Sequence, residues 1–230
     1  MKTKIAIFLF GIISITTFAQ TDSLYFGQTP PGNDPVRFGT GKIAGYVHGK
    51  IAITPKGDEI YWAINPSTER ILYSKFENGT WTAPALASFV KNYLTKNNGS
   101  PVFTPDGEKL FFYSDRTGGM GSYDAWYVEK TNSGWSNPIN AGEPFNTQGI
   151  DFAPIFSKNS NAYHIGFTST YELNAVCYNY SNSKFSNPTP MDYIPEYGPF
   201  WTIYISPEED YLIFAGGTDS NPDLYIRFKN

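Results

Sequence analysis

The chain has 230 residues, a formal net charge of −4 and only 17% charged residues against 17% aromatic ones. That composition, with 21 Gly and 17 Pro, argues for many short strands and turns, and against a helical bundle, a coiled coil or a disordered chain. Two histidines (His48, His164) and one cysteine (Cys177) exclude a closed zinc site with four His or Cys ligands and an internal disulfide. The acidic balance, with no run of Lys or Arg, argues against a nucleic-acid surface.

Residues 1–19 read as a signal peptide. Lys2 and Lys4 precede an apolar stretch from Ile5 to Ile15, and Thr17-Phe18-Ala19 forms a small-x-small cleavage site before Gln20. The apolar stretch is shorter than the ~20 residues a bilayer span needs, so no transmembrane span is expected after cleavage. No Cys follows it to carry a lipid anchor. Cleavage removes two lysines and no acid, taking the formal charge from −4 to −6. Residues 20–46 are expected to be an N-terminal extension. Its Leu24–Gln28 stretch is a candidate ring-closing strand.

Four segments from there on share one pattern: an apolar residue, Ser or Thr, Pro, a polar turn, then an apolar aromatic run. They begin at Ile53, Phe103, Phe156 and Ile205, and their third residues, Pro55, Pro105, Lys158 and Pro207, are spaced 50, 53 and 49 apart. Pro followed by Asp-Gly or a similar pair makes a tight hairpin turn. A third strand recurs at Ile71–Phe76, Asp124–Val128, Ala175–Tyr180 and Asp223–Phe228. An aromatic-x-x-Pro element, expected on an outer edge strand, recurs at Trp81, Trp135 and Phe185. The prediction is an all-β β-propeller of four-stranded antiparallel blades. About four repeats are present, at 47–97, 98–149, 150–198 and 199–230, the last incomplete. The helical spacing of Leu86, Phe89, Val90, Tyr93 and Leu94 is expected to give one short helical turn in an irregular connection. The incomplete repeat leaves two explanations: an N-terminal strand completes it, giving a closed monomeric ring, or the sequence is part of a longer propeller.

Phe103-Thr104-Pro105-Asp106-Gly107, the stretch Ser114–Trp126 and Trp135–Thr147 resemble the WD40-like repeat of TolB-like β-propellers. Phe26–Gly32 looks like the start of an exported bacterial subgroup of them. The resemblance implies a closed ring, usually of six blades. It also implies a role as an interaction platform in the envelope or a lid on a peptidase, and fold alone does not choose between them.

No G-x-S-x-G elbow, Walker loop or dinucleotide loop is present. Ser74–Trp81 keeps the Ser, Thr and Trp of the sialidase Asp box but lacks its Asp and Gly. No cofactor or metal is expected. The loops leading into the innermost strands carry the ligand-binding candidates His48, Asn98, Asp151 and Trp201, at repeat-equivalent places beside Tyr46, Ser100 and Phe200. The Gly-rich stretch 118–121 is expected to be a hairpin loop braced by Asp115, Arg116 and Asp124, which together are also a weak candidate cation site. His164 and Cys177 are expected to be core or strand residues. The sequence thus points to a periplasmic or secreted, non-catalytic module that binds an envelope protein, peptide or glycan. The alternative is a glycan or peptide hydrolase with its site at the channel mouth.

Overall fold

The computed structural model describes residues 24–43, 45–64, 67–191, 202–218 and 221–229. Its sheets follow the repeats. The first comprises β1 (Val47–Ile53), β2 (Glu59–Ile64), β3 (Arg70–Glu77), β4 (Thr80–Trp81) and β5 (Ala85–Leu86). The second comprises β6 (Asn98–Phe103), β7 (Lys109–Ser114), β8 (Asp124–Thr131), β9 (Gly134–Trp135) and β10 (Ile139–Asn140). In the third, the innermost strand is split into β11 (Ile150–Asp151) and β12 (Ile155–Phe156), followed by β13 (Asn161–Phe167), β14 (Leu173–Ser181) and β15 (Lys184–Pro190). The fourth sheet has three strands, β16 (Thr202–Ile205), β17 (Tyr211–Thr218) and β18 (Asn221–Phe228). Pairing within each sheet is antiparallel, and the four sheets form the blades of a β-propeller. The short turn expected between the first two blades is a 3-10 turn at Ser88–Val90.

The repeated Ser or Thr has a physical reason. In each blade it sits buried at the base of the inner hairpin: Thr54, Thr104, Ser157 and Ser206. Its carbonyl accepts the turn hydrogen bond from Gly57, Gly107, Ser160 and Glu209 N–H respectively. Its hydroxyl accepts a backbone N–H from the start of the second strand, as with Glu59 (3.1 Å), Lys109 (3.1 Å), Asn161 (3.2 Å) and Tyr211 (3.1 Å). One hydroxyl therefore satisfies a buried donor that the turn would otherwise orphan. The turn's closing residue is left-handed in every blade, at φ 71° for Gly57, 73° for Gly107, 62° for Ser160 and 62° for Glu209. The first two blades use Gly there, which adopts this conformation without strain.

Packing is between blades. Tyr61, Ala63, Phe103, Leu110, Phe112 and Trp126 join blade one to blade two. Phe111, Phe145, Ala162 and Phe185 join two to three, and Tyr163, Ile165, Ile203, Leu212 and Phe214 join three to four. The fourth cluster differs: Phe26, Phe38 and Ile43 cover Ile60, Trp62 and Leu72 on the outer face of blade one. The N-terminal segment, expected from sequence as a ring-closing strand, forms a 3-10 turn at Leu24–Gly27 instead. Phe26 packs edge-on against Trp81 with ring centroids 4.6 Å apart, and Lys42 Nζ donates to the Phe26 carbonyl at 2.6 Å. Burial of this aromatic surface, rather than strand pairing, directs the segment to blade one.

Candidate functional site

The loops entering the innermost strands and the hairpins joining the second and third strands gather at one end of the propeller. Its centre is Glu69, which is 6% exposed. Glu69 Oε1 accepts both the Tyr113 hydroxyl and His48 Nδ1, the latter at 2.9 Å. Burial, then the hydrogen bond and charge of Glu69, push the Tyr113 phenol well above its ordinary range, so it stays a donor. Glu69 Oε2 is buried and has no hydrogen-bond partner among the described residues. Tyr123 and Phe152 stand edge-on to the Tyr113 ring, with centroids 5.5 and 5.2 Å away. Asn97 links the blades around this cluster: its Oδ1 accepts the Glu69 N–H at 3.0 Å, and its own N–H donates to Asp115 Oδ1 at 2.7 Å. The His48 side chain is 49% exposed, so a half-open imidazole rests on a buried, oriented carboxylate.

The repeat-equivalent candidates have different surroundings. Asn98 is fully buried, donating to the Tyr93 and Lys96 carbonyls and accepting from Ser114 and from Arg116 Nη2 at 2.5 Å. Asp151 is also fully buried. It accepts the Thr147 N–H at 2.6 Å and the Thr147 hydroxyl, and lies 3.4 Å from His164 Nε2. Both side chains are occupied in holding loops, so the structure brings only His48 of the described candidates to an open surface. Trp201 and Phe200 lie outside the described residues.

In the Gly-rich stretch 118–121 the bracing contacts come from Asp124, while Asp115 accepts from Asn97 and Arg116 donates to Ser114 and Asn98. Asp124, buried, accepts the Met120 N–H at 2.7 Å, the Gly121 N–H at 2.9 Å and the Asn140 amide at 2.8 Å. With both of its oxygens taken by N–H donors, and Asp115 capping Asn97, the acids act as loop braces rather than as the oxygen-rich shell a cation requires. Among the described residues no group of three His, Cys, Asp or Glu is placed to hold a metal. The buried Arg116 guanidinium lies 4.1 Å from the Tyr93 ring centroid, 4.8 Å from that of Phe112 and 5.2 Å from that of Trp126. Burial lowers its pKa to about 10. It is an aromatic-caged structural cation. His164 is buried, edge-on to Phe145 at 4.5 Å, and Cys177 packs beside the core between blades three and four.

Sequence reasoning missed a second feature. At the propeller axis a cleft of about 490 Å³ is lined from all four blades, by Ile51 and Ile53, Val102, Ile155, and Tyr204 with Leu224. Ile51, Ile53, Tyr204 and Leu224 are exposed there, Leu224 by 72%. Among the described residues Lys50 is the one charged side chain in the lining. It crosses from blade one to donate to the Ala153 carbonyl of blade three at 3.0 Å, and burial among these apolar walls brings its pKa down to about 7.

No family model and no curated protein match the chain. Solved structures do. TolB from Acinetobacter baumannii superposes with a TM-score of 0.52 at 14% identity, over 79% of this chain and 41% of that one. A puromycin-hydrolysing peptidase of Mycobacterium tuberculosis gives 0.50 at 15% identity, over 80% of this chain and 27% of that one. A prolyl endopeptidase gives 0.51 at 8% identity, over 76% and 24%. The chain therefore has a TolB-like β-propeller fold and spans less than half the length of each of these proteins. Among the described residues no helix is long and apolar enough to cross a membrane.

Proposed function

We propose that this chain is an exported propeller that binds a polypeptide partner in the bacterial envelope through its axial cleft. The observation that carries the reading is the cleft itself, where apolar side chains of all four blades converge around a single amine. A concave apolar site with few polar groups is the usual form of a binding site, and exposed apolar side chains grouped on one surface mark interaction sites. The positive start and short apolar stretch of residues 1–19 support export, and the TolB-like fold supports a place in the envelope. A peptide-display selection against the protein beginning at Gln20 tests the reading. Enriched apolar peptides that lose binding to Ile53→Asp support it; absence of enrichment refutes it.

The His48–Glu69 pair favours one second reading, a hydrolase at the channel mouth. A half-exposed imidazole fixed by a buried carboxylate suits general-base work. Turnover on peptide or glycan panels that disappears in His48→Gln would replace the binding reading with this one.

A further inference from the structure

We propose that the groove at the outer rim between blades one and two is a second binding site, for a carboxylated oligosaccharide. The groove holds about 440 Å³ and is distinct from the axial cleft. Its floor is aromatic and rigid. Tyr73 stacks on buried Tyr61 with centroids 5.5 Å apart and planes 19° apart. The Trp135 indole stands edge-on to Tyr61 and donates to its hydroxyl at 2.9 Å. That hydroxyl donates in turn to Glu59 Oε2 at 2.7 Å, and Glu59 Oε1 pairs with Lys75 at 3.0 Å. These contacts fix half-buried Tyr73 and Trp135 in the groove wall, where Lys75 Nζ lies 5.9 Å from the Tyr73 ring centroid.

The charge of the groove runs against that of the chain. Among the described residues Lys75, Lys91 and Lys130 line it with Glu59 as the only acid, and Glu59 is already paired with Lys75. Lys91 and Lys130 are exposed and form no ion pair among the described residues. The groove thus carries a surplus of two positive charges in a protein whose formal charge is −4. A local cationic patch on an acidic protein selects an anion. Aromatic rings in the same wall favour a ligand with flat apolar C–H surfaces, which a pyranose offers and an acidic peptide backbone does not. The turn at 131–134 adds the Thr131 and Ser133 hydroxyls at the rim, neutral partners for sugar hydroxyls.

Isothermal titration of the protein with hexagalacturonate, its methyl ester and hexaglutamate tests the proposal. Hexagalacturonate is expected to bind, the other two much more weakly. Lys91→Gln combined with Lys130→Gln, and separately Tyr73→Leu, are expected to weaken binding about tenfold or more. The lysines are exposed, so that pair carries the test should Tyr73→Leu lose the fold. Equal binding of hexaglutamate or of the ester, no binding of hexagalacturonate, or unchanged affinity in the lysine variant would overturn the proposal. Ile53→Asp leaves this binding intact, so failure here is distinguishable from failure of the axial site.

Discussion

Gly99 lies directly beneath the carboxylate of Glu69. A Cβ at residue 99 would overlap Glu69 Oε2 and come within 2.6 Å of the Tyr113 ring. The innermost strand of blade two can pass under the buried carboxylate only because this position has no side chain. Gly99→Ala is therefore expected to destabilise the protein by about 1–3 kcal/mol, the range for overpacking a filled site. Gly32→Ala, whose Cβ meets nothing within 4 Å, is the control and is expected to be near neutral. Urea denaturation of both variants checks this, and equal midpoints would show that Glu69 is not fixed in this position.

Ser160 closes the inner hairpin of blade three at φ 62°, where blades one and two use Gly57 and Gly107. A left-handed conformation costs a non-glycine residue roughly 1–2 kcal/mol, partly offset by the chain entropy that glycine loses on folding. Ser160→Gly is expected to stabilise the protein by about 0.5–1 kcal/mol, read as a higher Tm with an unchanged m-value. A lower Tm would contradict this account of the turn.

The N-terminal segment contributes through Phe26. That ring is 2% exposed while its neighbour Tyr25 is 47% exposed, so Phe26→Ala is expected to cost about 3 kcal/mol and Tyr25→Ala almost nothing. Comparable effects would mean that the segment does not cap blade one.

Lys50 sets a pH dependence. Its folded-state pKa is about 7 against an ordinary 10.5, so between those values the unfolded chain binds a proton that the folded chain does not. Stability therefore rises with pH across this window. Lys50→Met removes the rise and is expected to stabilise the protein at pH 7 by about 1–3 kcal/mol. The difference in ΔG between the two proteins, measured from pH 7 to 9.5, should shrink steadily. A constant difference would contradict the buried position of the amine.

The fold was legible because the repeated signals are local. Pro55, Pro105 and Pro207 set turns within a few residues, and the Ser or Thr before each turn position holds that same hairpin. Each proposed third strand lies within an observed one, as Ile71–Phe76 lies within β3 and Asp223–Phe228 within β18. The site was legible only in part. His48 is repeat-equivalent to Asn98 and Asp151, yet its partner Glu69 comes from a hairpin with no motif, and Tyr113 reaches the same carboxylate from 44 residues away. Repeat position places a residue at the right end of the blade but does not say whether its side chain meets solvent or the neighbouring blade. Buried Asn98 and half-open His48 show both outcomes. The axial cleft was hidden because it is made by side chains from four blades at once, with Ile51 and Leu224 far apart in sequence.

Polypeptide binding in the axial cleft is the proposal on which the function rests. It is tested most directly by replacing Tyr204 with the photo-crosslinker benzoylphenylalanine and irradiating in the presence of a peptide selected on the wild-type protein. A covalent adduct is expected at position 204, and none when the crosslinker replaces Thr189, exposed on the outer strand of blade three. Crosslinking at 189 without crosslinking at 204 would contradict it.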